Sequence, residues 1–183
     1  MNVTSVLNLD YEIFTWLDGL AGKTAWGDLL AVILAQGVIF LLIAGLAVFT
    51  LLHSRKYAYR ALEALAAGIF SRAVVIEIIR LYVERPRPFA HNVVSVLIPE
   101  PLDASFPSTH TSIMFALGFS LLLINRRWGI AYLILAFFSA VARIVVGVHF
   151  PLDVFVGILV GLISALTLRL FVSYWQNKDL TQK

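Results

Sequence analysis

Hydrophobic residues run through this chain in long blocks, and the polar residues gather in clusters between them. A helix needs about 20 apolar residues to cross a bilayer core, so the block lengths predict membrane spans. The first block extends from about Asp28 to Leu52 and is followed by the polar stretch His53 to Arg60. A second runs from about Ala61 to Val83, interrupted by Glu63, Arg72 and Glu77. A proline-rich connection, Glu84 to Phe106, leads to a third block from near Pro107 to near Ile124. The basic turn Asn125-Arg126-Arg127-Trp128 precedes a fourth, which ends near Val146. The fifth runs from Pro151 to about Trp175, before the polar tail Gln176 to Lys183. Residues 1–24 differ, because Tyr11, Ile13, Phe14, Trp16, Leu17 and Leu20 are interrupted by Asp10, Glu12 and Asp18. That mixture suits an amphipathic helix lying in the interface better than a span. The pattern predicts an all-α, polytopic membrane helix bundle with about five spans plus an N-terminal interfacial helix. No internal repeat or low-complexity linker divides it, so residues 1–183 read as one membrane-embedded domain.

Composition agrees with this reading. The chain is 60% hydrophobic and only 14% charged, against roughly 25% charged in soluble domains, and its mean hydropathy is +0.89. A net charge of +3, spread along the chain, gives no nucleic-acid footprint. The absence of cysteine excludes a disulfide framework, a thiolate metal site and a thiol nucleophile. No basic segment precedes an apolar stretch at the start, so no cleavable signal peptide is expected. Basic residues mark orientation. Arg55, Lys56 and Arg60, then Arg126 and Arg127, then Lys178 and Lys183 fall on one side of the predicted spans. The expected protein is therefore a multi-pass protein of the cell membrane, with its N-terminus outside and its C-terminus cytoplasmic. Arg80, Arg85, Arg87 and Arg143 fall on the outer face and break the rule, which reads as retention for chemistry.

The chemistry centres on Arg143-Ile144-Val145-Val146-Gly147-Val148-His149-Phe150-Pro151-Leu152-Asp153. Ionisable groups in or beside a span are costly and mark functional sites by default. Pro151 fits the first turn of a helix, which puts Asp153 in that turn and within reach of His149 one turn earlier. An aspartate that holds a histidine in one tautomer makes the imidazole a base or nucleophile. Arg143, always charged, suits an anion. Alone, the stretch can also be read, less favourably, as a polar turn with Asp153 as a helix cap.

Two further clusters share the outer face. Arg80, Arg85 and Arg87 lie within eight residues stiffened by Pro86 and Pro88. Arginine forks match phosphate oxygens, although snorkelling toward lipid headgroups gives the same pattern. The third block opens with Phe106-Pro107-Ser108-Thr109-His110, a helix start whose free N–H groups and dipole favour anions. By itself it is also an ordinary hydroxyl cap. Together the clusters supply cations, N–H donors, two histidines and an aspartate, an inventory for phosphoryl transfer through a covalent intermediate. No carboxylate or histidine grouping suggests a metal site. Glu77, three residues before Arg80, is expected to orient it on the helix.

These clusters resemble the three motifs of the type 2 phosphatidic acid phosphatase superfamily. The family patterns Lys-x6-Arg-Pro, Pro-Ser-Gly-His and Ser-Arg-x5-His-x3-Asp read here as Arg80-x6-Arg87-Pro88, Pro107-Ser108-Thr109-His110 and Ala142-Arg143-x5-His149-x3-Asp153. Arg80, Thr109 and Ala142 depart from the family's lysine, glycine and serine. The opening Asp10-Tyr11-Glu12-Ile13-Phe14 and the short length also resemble the bacitracin-resistance type of bacterial undecaprenyl-diphosphate phosphatase. The resemblance implies an integral membrane phosphatase that needs no cofactor or metal and acts on a polyprenyl or glycerophospholipid phosphate. Its site would lie on the extracytoplasmic face, and no obligate protein partner is implied. His149 would attack phosphorus and form a phosphohistidine, oriented by Asp153, while His110 protonates the leaving group and then activates water. Arg80, Arg87, Arg143, Ser108 and the Thr109 N–H would hold the phosphate. Undecaprenyl diphosphate is the favoured substrate. Phosphatidylglycerophosphate and phosphatidic acid phosphatases, a lipid phosphotransferase, and a non-enzymatic lipid-binding protein are the alternatives.

Overall fold

The computed structural model describes residues 2–52, 55–91 and 94–181, and among these the regular structure is helical throughout. Lys183 and the side chain of Lys56, used above for orientation, fall outside what is described, as do His53 and the side chain of His91. Helix α1 spans Val3–Asp18, capped by the Asn2 side chain on the Ser5 N–H. A turn through Gly22, at φ 75°, leads to α2, Ala25–Leu52. Helix α3, Arg55–Phe70, continues through a π-helical segment, Ser71–Ile76, into Glu77–Arg80. The connection that follows is irregular apart from one helical turn, Pro88–His91. Helix α4 is Thr109–Leu122, α5 is Arg126–Val145 and α6 is Pro151–Thr181.

Each expected block therefore falls on a helical rod, with boundary shifts that have local causes. Residues 55–60, expected in a loop, are helical, supported by an Arg60–Glu63 pair at 2.7 Å one turn apart. The Tyr57 ring also meets Phe49 edge-on at 5.9 Å. Helix α5 begins at Arg126 because the Asn125 side chain accepts from the Arg127 and Trp128 N–H groups. The polar tail extends α6 as helix beyond Trp175.

Three helices, Ala25–Leu52, Arg126–Val145 and Pro151–Lys178, are long and apolar enough to cross a membrane. The rod over residues 55–80 carries Glu63, Arg72 and Glu77. Helix α4 is apolar but has only 14 residues. It lies at the centre of the bundle, packed most extensively against α6 and α5 and next against α3. Met114, Phe115, Ala116, Leu117 and Leu121 are buried on it, so nearly every face meets protein. Phe40, Leu51, Phe137, Leu166 and Leu170 project outward from α2, α5 and α6, as lipid-facing positions should.

Close approach of α6 to α4 rests on Gly161. A Cβ there would stand 2.8 Å from the backbone of Ser112 and Ala116. Gly161→Val is therefore expected to cost about 1–3 kcal/mol through overpacking, read as a lowered Tm in detergent. An unchanged Tm would show that the two helices separate freely.

Helix α1 docks on α5 and α6. Phe14 and Leu17 enter the main core, and Phe14 packs on Phe150 with ring centroids 5.0 Å apart. Its other face exposes Leu7, Leu9, Tyr11 and Trp16. The helix is thus two-faced, as its sequence indicates, and its inner face is fixed to the protein. Asp10, which looked like an interruption of the apolar face, is buried.

Candidate functional site

The end of α5 and the start of α6 form a sharp reversal. Gly147 adopts φ 80°, and a Cβ there would meet the Ser95 carbonyl oxygen at 3.0 Å, so glycine is demanded twice over. Val148 N–H donates to the Arg143 carbonyl at 3.3 Å, which closes the turn. Pro151 opens α6, and the Asp153 carboxylate folds back to accept the Phe150 N–H at 2.8 Å. The same carboxylate accepts from Arg85 at 2.9 Å and from the Ser105 hydroxyl at 2.5 Å. His149 is buried, with Nδ1 3.2 Å from Ser105 Oγ and 3.7 Å from Asp153 Oδ2. Burial pushes its imidazole down to about 4; Asp153 opposes that shift and the Arg143 charge adds to it. The ring is thus neutral at pH 7, as a nucleophile or base requires. With Nδ1 turned toward Ser105 and Asp153, Nε2 is the nitrogen left for chemistry.

Three arginines from separate elements meet the connection that precedes α4, at residues 100–104. Arg143, on the last turn of α5, is 1% exposed and donates to Glu100 at 2.6 Å and to the Ala35 carbonyl at 3.3 Å. Ala35 lies in the π-helical segment of α2, Ile33–Gly37. Such segments displace carbonyls from the regular ladder and so make them available to other donors. Arg87 is held by Asp103 through Nε at 2.9 Å and Nη2 at 2.7 Å, with Glu100 at 3.5 Å. Arg80 donates to the Ala104 carbonyl at 3.0 Å and to Thr109 Oγ1 at 3.4 Å, with Asp103 at 3.7 Å. Burial pushes the Glu100 carboxyl up, but the Arg143 hydrogen bond and the charges of Arg143 and Arg87 outweigh it and hold the group below its usual range. Among the described residues, Arg80 Nε and Arg143 Nε are buried donors without an acceptor.

The third contribution is the start of α4. Ser108 precedes its first turn and is fully buried; its N–H donates to the Asp153 carbonyl at 3.0 Å, which joins the beginnings of α4 and α6. Its hydroxyl caps no backbone N–H and instead accepts from Thr111 at 3.0 Å. The first-turn N–H groups of a helix have no intrahelical partner, so they remain available to an anion. His110 lies in this turn, partly buried. A cavity of about 390 Å³ opens at this end, lined by Arg85, Asp103 and Ala104 among others.

Asp10 reaches the site from α1. It accepts from Arg85 at 2.5 Å and from the Leu152 N–H at 2.7 Å, while Arg85 also covers the Phe150 ring at 3.9 Å. Asp10→Ala removes a buried acceptor from two donors and is expected to destabilise the protein by about 1–3 kcal/mol. A Tm equal to that of the parent would show that α1 is not tied to the site through this residue.

The comparisons with known proteins bear on what this arrangement is. The sequence profile of the PAP2 superfamily matches residues 61–177, which hold all three clusters. The chain belongs to the PAP2 superfamily. It is similar to the bacitracin transport permease protein BcrC of Bacillus licheniformis, at 33% identity over 163 residues, covering 88% of this chain and 80% of that one. The undecaprenyl-diphosphatase BcrC of Bacillus subtilis is 34% identical over 160 residues, covering 85% and 80%. Among solved structures, Aquifex aeolicus LpxE superposes with a TM-score of 0.70 at 27% identity, over 87% of this chain and 94% of that one. A transmembrane PAP2-type phosphatidylglycerolphosphate phosphatase from Bacillus subtilis also reaches 0.70, at 19% identity, over 94% and 89%, and shares the fold.

In this membrane-bound PAP2 phosphatase, the residues singled out in the sequence gather at one end of the bundle, with one correction. Glu77 does not hold Arg80; it pairs with Arg72. The expectation assumed α-helical spacing, whereas the π-helical segment Ser71–Ile76 brings residues five apart together. Arg80 is held instead by the connection that precedes α4. Sequence reasoning passed over Ser105, Glu100, Asp103 and Asp10. The first three lie in the irregular connection, where no periodicity marks which side chains turn inward. Their one visible signal was acids and a serine standing between arginine-rich and hydroxyl-rich clusters.

Proposed function

We propose that this protein hydrolyses undecaprenyl diphosphate to undecaprenyl phosphate and inorganic phosphate, on the extracytoplasmic face of the cell membrane, with its C-terminus in the cytoplasm. The observation that carries phosphate binding is the pair of buried, unpaired guanidinium donors, Arg80 Nε and Arg143 Nε, in a site that also holds a neutral buried histidine. A phosphate would satisfy donors that nothing else in the site satisfies. The choice of lipid is supported by the relatives named undecaprenyl-diphosphatase.

In the proposed reaction His149 Nε2 attacks the terminal phosphorus, and the bond to the bridging oxygen breaks. Undecaprenyl phosphate leaves and takes a proton from His110. Water, activated by His110, then cleaves the phosphohistidine and releases inorganic phosphate. Arg80, Arg87, Arg143, Ser108 and the Thr109 N–H hold the equatorial oxygens, where charge builds in the transition state. Asp153 stabilises the cationic ring. These guanidinium groups supply the neutralising charge, so a divalent ion is not required.

The test is phosphate release by the detergent-purified protein with EDTA present. Undecaprenyl diphosphate, phosphatidylglycerophosphate and phosphatidic acid are compared side by side. The expected result is EDTA-indifferent release from undecaprenyl diphosphate. Release from a glycerophospholipid alone would reassign the substrate, and no release from any of the three would overturn the hydrolase. A reporter fused to the C-terminus is expected to be cytoplasmic, and an extracytoplasmic signal would reverse the orientation.

A further inference from the structure

We infer that Ser105 is a positioning residue for this reaction: its hydroxyl stands between Asp153 and His149 and sets which ring nitrogen of His149 carries the proton. The inference rests on the proposed role of His149. Ser105 belongs to none of the three motif clusters, yet it is completely buried. Its backbone is tied down by its N–H, which donates to the Arg85 carbonyl at 2.8 Å. Its Oγ lies 2.5 Å from Asp153 Oδ2 and 3.2 Å from His149 Nδ1. The direct separation of His149 Nδ1 from Asp153 Oδ2 is 3.7 Å, beyond hydrogen-bond length. The connection between carboxylate and imidazole therefore runs through the serine.

The protons can be assigned. A hydroxyl has one hydrogen to give and lone pairs to accept with. An ionised carboxylate only accepts, and hydrogen bonds to ionised groups are the stronger ones. The Ser105 hydrogen therefore goes to Asp153, and its oxygen can only accept from His149. Nδ1 must then carry the hydrogen, which leaves Nε2 unprotonated and able to attack. When Nε2 becomes phosphorylated and the ring turns cationic, the same chain brings the Asp153 charge to Nδ1 without any proton moving. Asp153 is itself fixed from its other sides by Arg85 and the Phe150 N–H. The serine thus joins a rigid carboxylate to the ring.

The experiment compares Ser105→Ala, Ser105→Thr, Asp153→Asn and the Ser105→Ala/Asp153→Asn double variant in full-length detergent-purified protein. His149→Ala is the control, and Tm is recorded for each. Ser105→Ala is expected to lower kcat about 10- to 100-fold, the loss typical of an outer partner of a functional histidine, with KM little changed. Threonine, which keeps the hydroxyl, restores most of the activity. In the Asp153→Asn background the alanine change adds little, because both residues act through one chain. A parental kcat in Ser105→Ala overturns the inference. So does a loss that multiplies in full on Asp153→Asn, or a folded threonine variant as slow as the alanine one. Should Ser105→Ala not fold, Ser105→Cys takes its place: the thiol is a weak donor, and parental kcat there is equally contradictory. The underlying reading fails separately, since an active His149→Ala removes the nucleophile whatever Ser105 does.

Discussion

Replacing His149 with alanine is expected to abolish phosphate release, lowering kcat by on the order of 10⁴-fold or more. The size follows from where the residue sits. No other described imidazole combines complete burial with a carboxylate held by three donors beside it. The loss should fall on kcat, since the arginines proposed to hold substrate in the ground state remain. Phosphate release at the parental rate would reject the scheme.

The second large effect is expected at Arg143. Its guanidinium is 1% exposed and engages Glu100 and the Ala35 carbonyl. Arg143→Ala removes a proposed phosphate donor and takes from the half-buried Glu100 its nearest partner, leaving it Arg87 at 3.5 Å, a loss expected to cost about 1–3 kcal/mol. Both Tm and activity should therefore fall. The two consequences can be separated, because Arg143→Ala/Glu100→Gln no longer leaves a carboxylate without its nearest partner. The double variant is expected to recover much of the lost Tm while remaining inactive. Recovery of activity along with Tm would show that Arg143 is purely structural.

How much of this could be read from the sequence depends on the element. The bundle was legible because apolar blocks of span length have few other uses, and the helix starts at Thr109 and Pro151 were legible from their proline and hydroxyl signals. The His149–Asp153 spacing placed both groups on one turn, as the structure shows, but it gave no hint of the serine between them. Ser105, Glu100 and Asp103 act from an irregular segment, and long-range contacts of that kind have no local signature. Glu77 was misassigned because spacing arguments assume 3.6 residues per turn, and a π-helical segment changes the phase. Asp10 was read as a break in an amphipathic face. Its partner, Arg85, lies 75 residues away in sequence. The central position of the 14-residue α4 was likewise invisible, since its apolar composition suits lipid and protein surroundings equally.

The central claim is that His149 carries the phosphoryl group during turnover. The direct measurement is a rapid quench of the protein with undecaprenyl diphosphate labelled in its terminal phosphate, followed by peptide mapping. The account predicts label on the peptide containing His149, labile in acid and stable in base, and absent from His149→Ala. Steady-state hydrolysis by the parental protein with no label on that peptide at any quench time, or label that persists in the alanine variant, would contradict it.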